Sequence, residues 1–133
     1  MRETKFNVST FNVRGITSEI KRWNLNKDLL RYNIDLICLQ ETKISDDMDI
    51  QVKESRLICF KPDCRHYGSG FIINKTWKNN IHRTWKETDR IRVIHFKTEN
   101  GKTMTIINSY GPTQKLADDN QDIRCFLETS QEY

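Results

Sequence analysis

Two segments in the first part of the chain have the apolar pattern of β-strands. Residues 5–13, "KFNVSTFNV", carry β-forming side chains at both odd and even positions and lead into a turn at Gly15. Residues 34–40, "IDLICLQ", contain a continuous apolar run, which is typical of a strand covered on both faces. The run stops abruptly at Glu41, so the pattern places a carboxylate directly after a buried strand.

The segment between these strands has the features of a helix. Thr17 or Ser18 can cap its start, and the periodic pattern ends near Tyr32 and Asn33. The apolar residues that recur at near-helical spacing along it are Ile20, Trp23, Leu29 and Leu30. The strand, the helix and the buried strand together predict one βαβ unit with a right-handed crossover, which means an α/β fold class.

The βαβ unit has a consequence for two polar residues. Its strands are parallel, and parallel strands deliver their carboxyl ends to the same edge of a sheet, where open α/β folds place ligands. Asn12 lies near the end of the first strand and Glu41 follows the second. We therefore expect Asn12 and Glu41 to emerge at one edge.

Further strands are predicted beyond this unit. Residues 43–50, "KISDDMDI", are polar and loop-like, whereas residues 56–60, "RLICF", form a short strand. Residues 68–74, "GSGFIIN", indicate a glycine-flanked turn and then another strand.

The strongest hairpin signal is the pair Asn100 and Gly101. Residues 90–98 and 102–110 alternate cleanly on either side of it, as the two arms of a β-hairpin do. The second arm ends at Tyr110. Tyr110 is therefore a third polar side chain, after Asn12 and Glu41, that lies at the end of a predicted strand.

The tail that begins at Asp118, "DDNQDIRCFLETSQ", is predicted to form an amphipathic helix. Asp118 or Asp119 would cap it. Its inward-facing residues would be Ile123, Phe126 and Leu127.

Length and composition restrict the class of protein. A chain of 133 residues allows one ordinary domain, and 36% apolar with 30% charged residues favours a globular fold over disorder. No apolar stretch approaches the roughly 20 residues needed to cross a bilayer. The first ten residues also lack the apolar core of a signal peptide. We therefore expect a soluble intracellular protein that has no membrane partner.

The four cysteines are interpreted as free thiols. Cys38 lies in the predicted core strand, and nothing in the sequence indicates an oxidising compartment. Cys59, Cys64 and His66 form a C-x4-C-x-H pattern that lacks a fourth ligand at a usual zinc spacing. The fourth cysteine is Cys125. A zinc site at Cys59, Cys64 and His66 is the alternative to the thiol interpretation.

The positive charge of the chain is concentrated in its middle third. Residues 53–102 carry twelve basic and five acidic groups, whereas the whole chain has a net charge of +4. Such a patch is compatible with a phosphate backbone, although similar balances are common on soluble surfaces.

The three strand ends combine an amide, a carboxylate and a phenol. Glu41 with water ligands suits Mg²⁺, a hard ion that commonly takes only one or two protein carboxylates plus substrate phosphate. Asn12 can orient a neighbour, and Tyr110 can donate to a phosphate oxygen. Metal-assisted attack on a phosphodiester is the chemistry that these groups share. The alternative is an ordinary surface carboxylate, a turn asparagine and a half-buried tyrosine.

Three ordered motifs resemble a known family. "STFNVRG" (9–15), "IDLICLQETKI" (34–44) and "IINSYGPT" (106–113) are similar, in order and in spacing, to the first half of the endonuclease/exonuclease/phosphatase superfamily. That superfamily includes apurinic/apyrimidinic endonucleases, DNase I and the endonuclease domains of LINE-type retrotransposons. The forms "FNVRG" and "LQETKI" look most like the retrotransposon branch.

The resemblance implies a fold and a set of roles. The fold would be the N-terminal half of the DNase I-like four-layer α/β sandwich, with a mixed, mostly antiparallel sheet and flanking helices. Glu41 would bind Mg²⁺, with Mn²⁺ as an alternative ion, Asn12 would orient the hydrogen-bond network, and Tyr110 would contact the scissile phosphate. Arg14 would add a phosphate contact. The partner would be DNA, and the location would be nuclear for a retrotransposon product.

Two later motifs of that family have no counterpart in the sequence. It contains no Gly-Asp-x-Asn and no Asp-His, and its one Asp-x-Asn, residues 118–120, is better interpreted as a helix cap. Residues 1–133 are therefore expected to be a partial domain, truncated before its C-terminal half and inactive alone, with the inner face of one sheet exposed. Two alternatives remain: a non-catalytic remnant that binds nucleic acid or protein, and a phosphatase of small phosphorylated substrates.

Overall fold

The computed structural model describes residues 5–62, 68–110 and 123–131, with the backbone alone from Tyr110 onward. Its elements in chain order are β1 (Val8–Asn12), α1 (Glu19–Arg31), β2 (Leu36–Gln40), β3 (Met48–Val52), β4 (Ser55–Phe60), β5 (Ser69–Ile73), a short 3₁₀ helix (Lys78–Asn80), β6 (Ile81–Thr88), β7 (Ile91–Lys97), β8 (Lys102–Tyr110) and β9 (Ile123–Gln131). Within these ranges no helix is long and apolar enough to cross a membrane.

The strands form two sheets. The first sheet has the order β1-β2-β5-β4-β3, and the second sheet is the antiparallel run β6-β7-β8-β9. β1 and β2 are parallel and α1 connects them, so the predicted βαβ unit is confirmed. The other neighbouring strands are antiparallel. The fold is mixed α/β with mostly antiparallel strands, and it is consistent with part of a DNase I-like fold.

Two apolar clusters hold the layers together. One lies between α1 and the first sheet and includes Leu29, Leu39 and Ile72. The other lies between the two sheets and joins Cys38 and Phe71 of the first sheet to residues of the second: Ile94, Phe96 and Ile106. The expectation of an exposed inner sheet face was therefore wrong for the described residues, because this chain itself supplies the second sheet.

The predicted tail helix was also wrong. Residues 123–131 form β9, which pairs with β8 at every position from Tyr110–Ile123 to Lys102–Gln131. This pairing satisfies a row of backbone groups on β8 that would otherwise be an open sheet edge. The proposed caps Asp118 and Asp119 lie outside the described residues.

Helix α1 has the predicted position but a different buried face. Ser18 is its N-cap and accepts from the backbone N–H of Lys21, and the helix ends at Arg31. Its buried residues are Leu25, Asn26 and Leu29. Three of the four apolar positions chosen from the periodicity are exposed instead: Ile20, Trp23 and Leu30.

The segment interpreted as a loop over 43–50 ends in an edge strand. Residues from Met48 onward form β3, where apolar and polar side chains alternate. Nε and Nη2 of Arg56 on β4 donate to the two carboxylate oxygens of Asp49 on β3, at 2.9 and 2.7 Å. This hydrogen bonding holds the pKa of Asp49 below its usual value.

Cys59 is expected to resist alkylation in the folded protein. Burial raises the pKa of its thiol to about 12, so the reactive thiolate is scarce near neutral pH. Because the unfolded value is about 9, this thiol's contribution to stability is complete below pH 9 and is lost as pH rises through about 12. Iodoacetamide labelling with peptide mapping, in native buffer and in urea, measures the difference; equal rates would contradict it.

Cys38 and Cys59 are buried thiols that take part in no disulfide, as the thiol interpretation requires. Cys64, His66 and the side chain of Cys125 lie outside the described part of the chain.

Candidate active site at the carboxyl edge of the first sheet

The parallel pairing of β1 and β2 brings Asn12 and Glu41 together. Asn12 is the register partner of Gln40, and Glu41 is the next residue along the chain. The Nδ2 group of Asn12 donates a hydrogen bond to Oε2 of Glu41, and both residues are half-buried. The expectation that these two residues share one edge is confirmed.

Backbone hydrogen bonds continue the pairing beyond the strands. Val13 N–H donates to the carbonyl of Gln40 at 3.0 Å, and Gly15 N–H donates to the carbonyl of Glu41 at 2.7 Å. Oδ1 of Asn12 accepts from the backbone N–H of Arg14 at 3.2 Å. The two loops are therefore fixed to each other at the position of the carboxylate.

Three non-glycine residues with positive φ lie in these loops. They are Arg14 (52°), Glu41 (55°) and Lys43 (56°). This left-handed conformation is unfavourable for residues that carry a Cβ, at a cost of roughly 1–3 kcal/mol each. Such strain tends to collect at functional sites, where the surrounding structure holds it in place.

Basic side chains surround the same loops. Lys21 Nζ donates to the carbonyl of Arg14 at 3.0 Å. A Cβ placed on Gly15 would lie 3.9 Å from both Lys21 Nζ and Lys43 Cδ, so these two chains flank one turn. Arg14 is exposed beside them. Arg14, Lys21 and Lys43 thus place three cationic side chains on or against the loops that carry Asn12 and Glu41, which favours an anionic ligand such as phosphate.

Two buried amides lie beneath Glu41, and the sequence interpretation missed both. Gln40 and Asn108 are fully buried, and Nε2 of Gln40 donates to Oδ1 of Asn108 at 2.9 Å. Asn108 donates to the carbonyl oxygens of Leu39 at 3.1 Å and Gly70 at 3.0 Å. The sequence signal that could have identified Asn108 is its position two residues after Ile106 on β8, which places both side chains on the inward face of the strand.

Tyr110 is the last residue of β8, and its backbone pairs with Ile123. Asn108 lies two residues earlier and contacts the backbone of β2 and β5, so the end of β8 approaches the edge that carries Glu41. The side chain of Tyr110 lies outside the description, and its phosphate contact stays a prediction.

The sequence profile of the endonuclease/exonuclease/phosphatase family matches residues 9–131. The chain belongs to the endonuclease/exonuclease/phosphatase family. It is a nuclease- or phosphatase-type hydrolase domain by this membership. No curated protein matches the chain.

Members of this family typically depend on a divalent metal ion. The carboxylate of Glu41 and the Oδ1 of Asn12 are hard oxygen donors, which suit Mg²⁺ better than softer ions. No group of three or more His, Cys, Asp or Glu side chains that could hold a metal ion occurs among the described residues. Mg²⁺ does not require such a cluster, because it usually keeps several waters and shares substrate phosphate. The residues present therefore fit this ion.

The described histidines lie on the second sheet. The rings of His82 and His95 pack edge to face with their centroids 5.7 Å apart, and Nδ1 of His95 is 2.7 Å from Oγ1 of Thr105. His95 alternates with the inward-facing Ile94 and Phe96, so it lies on the outer face. These are the positions of packed or edge residues rather than of catalytic bases.

Proposed function

We propose that this family member provides the metal- and phosphate-binding part of a Mg²⁺-dependent DNA endonuclease of the LINE-type retrotransposon branch. The observation that carries the proposal is the Asn12–Glu41 hydrogen bond at the carboxyl edge of the first sheet. The motif forms "FNVRG" and "LQETKI" around these two residues support the retrotransposon branch.

Each residue of the site has a chemical role in this proposal. Glu41 binds Mg²⁺ through its carboxylate, and Asn12 holds that carboxylate in one orientation. A bound Mg²⁺ would supply Lewis-acid polarisation of a phosphoryl oxygen and charge stabilisation for a leaving oxygen. Tyr110 contacts the scissile phosphate, and Arg14 contacts a neighbouring phosphate.

The charge around the site favours a polyanion over a small substrate. Arg14, Lys21 and Lys43 surround the loops of Asn12 and Glu41. Elsewhere in the chain, residues 53–102 carry twelve basic and five acidic groups. A duplex presents many phosphates to such a surface, whereas a small phosphorylated molecule presents one or a few.

The 133 residues are proposed to bind without cleaving. Hydrolysis needs a general base within hydrogen-bond reach of the attacking water. The family's Gly-Asp-x-Asn and Asp-His motifs, which supply that chemistry, do not occur in this sequence.

DNA binding with and without the ion tests this proposal. We expect the chain to bind a fluorescently labelled duplex more tightly in MgCl₂ than in EDTA, with an affinity that falls steeply as salt rises. Supercoiled plasmid incubated with the chain and Mg²⁺ should remain intact. Fluorescence anisotropy and agarose gels provide the two measurements.

Three results would contradict parts of the proposal. Equal affinity in MgCl₂ and EDTA would leave a nucleic-acid-binding remnant without a metal site. Release of inorganic phosphate from small phosphorylated substrates, without duplex binding, would identify a phosphatase instead. Nicking of the plasmid would show that the chain contains its own base.

A further inference from the structure

A buried amide network joins the two sheets directly below the candidate site. Gln40 belongs to β2 of the first sheet and Asn108 to β8 of the second, and neither has solvent exposure. Gln40 immediately precedes Glu41, and Asn108 stands two residues before Tyr110. The network therefore connects the two strand ends that carry the proposed metal ligand and the proposed phosphate contact.

The hydrogen-bond donors fix the orientation of both amides. Asn108 donates its two N–H groups to the carbonyls of Leu39 and Gly70, so its acceptor Oδ1 faces Gln40. Nε2 of Gln40 donates to that oxygen at 2.9 Å and to Oγ1 of Thr10 at 2.8 Å. If either amide were rotated by 180°, its oxygen would face another oxygen. The direction of the Gln40 side chain is thus determined by partners on β1 and β8.

Much of the contact between the sheets is apolar, although the buried Arg92 of β7 also faces the first sheet, with its guanidinium carbon 5.6 Å from the ring centroid of Phe60. Cys38 and Phe71 of the first sheet pack against Ile94, Phe96 and Ile106 of the second. An apolar pair of similar shape would fill the Gln40–Asn108 position, but it would leave the carbonyls of Leu39 and Gly70 without the hydrogen bonds that Asn108 donates.

The network also leaves one acceptor unused. Oε1 of Gln40 is buried and has no hydrogen-bond partner in the described part of the chain. Buried polar atoms are normally paired, because an unpaired one loses its hydration without replacement. Packing and hydrogen-bond satisfaction alone do not account for an amide at position 40, whereas directional control of the neighbouring strand end does.

We propose that Gln40 and Asn108 are positioning residues: their amide pair holds the carboxyl end of β2 at a fixed height and direction relative to the end of β8. In this way it sets the Asn12–Glu41 geometry and the separation of Glu41 from Tyr110. The catalytic meaning of this positioning rests on the function proposed above.

Two apolar replacements test the pair itself. Gln40→Met and Asn108→Leu each remove the cross-sheet hydrogen bond while keeping side-chain bulk. The first measurement is the side-chain amide signal of Asn12 in ¹⁵N NMR without metal, because that group donates to Glu41. The second is the Mg²⁺ dissociation constant of the full chain. We expect the Asn12 signal to shift in both variants and Mg²⁺ binding to weaken at least about tenfold.

A buried polar pair elsewhere provides the matched control. Oγ of Ser55 donates to Oδ1 of Asn26 at 2.5 Å, and both residues are buried. Ser55 begins β4 and lies near the opposite end of the first sheet from Glu41. We expect Ser55→Ala to lower stability while leaving the Asn12 signal and Mg²⁺ affinity unchanged.

A substitution at Thr10 tests the same network with less disturbance of the core, because Thr10 is exposed on the edge strand β1. Thr10→Val removes one acceptor of Gln40 and should move the Asn12 signal in the same direction as Gln40→Met, by less. Thr10→Ser retains the hydroxyl and should restore the native signal.

The outcomes separate the two proposals. If Gln40→Met, Asn108→Leu and Thr10→Val lower stability as Ser55→Ala does, and leave the Asn12 signal in place, the amides are structural only and the positioning proposal fails. If the unaltered chain binds no Mg²⁺ yet the Asn12 signal responds as expected, the proposed function fails while the positioning of Glu41 holds.

Discussion

Replacing Gly70 with alanine is expected to lower the free energy of unfolding by about 3 kcal/mol or more. Gly70 lies in β5, between β2 and β4 of the first sheet. A Cβ at this position would overlap the carbonyl oxygen of Ile58 and lie 2.6 Å from the Cα of Cys59. Both obstacles are backbone atoms of a paired strand, so the sheet must distort to make room. Urea denaturation followed by tryptophan fluorescence measures the change.

Gly101 is the control for this substitution. It lies in the β7–β8 hairpin with a φ of +80°, and nothing is within 4 Å of a Cβ added there. Gly101→Ala should therefore cost only the strain of a positive φ, on the order of 1 kcal/mol. A loss for Gly70→Ala no larger than for Gly101→Ala would mean that β5 and β4 are not as close as described.

The parts of the fold that the sequence predicted are those that local signals determine. The βαβ unit follows from a capped periodic segment between two apolar runs, and the pairing of β1 with β2 confirms it. The β7–β8 hairpin follows from Asn100 and Gly101, since few residue pairs suit so tight a turn.

The tail shows where local signals fail. Residues 123–131 can be read as a helix, with Ile123, Phe126 and Leu127 on one side, or as an alternating strand, with Ile123, Cys125 and Leu127 in step. Only the open edge of β8 decides between the two patterns, and that edge is a tertiary feature.

The prediction of the buried face of helix α1 failed for a related reason. Its buried face includes the polar Asn26, which Ser55 of β4 satisfies, while the apolar Trp23 is exposed with Lys53 Nζ 4.6 Å from its ring centroid. A search for apolar periodicity counts Trp23 as core and Asn26 as surface. The hydrogen bond and the cation–π contact that reverse this assignment come from distant strands and turns.

In the candidate site, too, local signals predicted some contacts and missed those that depend on tertiary packing. Parallel pairing alone predicted that Asn12 and Glu41 meet, because the two strand ends are close in a single βαβ unit. Gln40 and Asn108 were missed because 68 positions separate them, and their contact exists only once the two sheets pack. Polar residues at inward positions of apolar strands are the sequence feature that marks such contacts for inspection.

Replacing Glu41 is expected to remove Mg²⁺ binding without unfolding the chain. Glu41→Gln keeps the side-chain shape and an oxygen that can accept from Asn12, but it removes the charge that holds the ion. We expect the Mg²⁺ dissociation constant to rise at least about tenfold, which is roughly 1.4 kcal/mol. Isothermal titration calorimetry measures the constant. Glu54→Gln is the control, because Glu54 is an exposed carboxylate whose partner is Lys75.

Glu41→Gly separates a functional carboxylate from a structural one. Glu41 has a φ of +55°, a conformation that glycine adopts without strain. If the carboxylate is kept for the ion, the glycine variant should unfold at the same or a higher urea concentration than the unaltered chain while losing Mg²⁺ affinity. If Glu41 instead serves the fold through Asn12, the variant should be less stable and its Mg²⁺ affinity should not change. Strain that is retained at a position where glycine would relieve it is best explained by a ligand that needs the side chain.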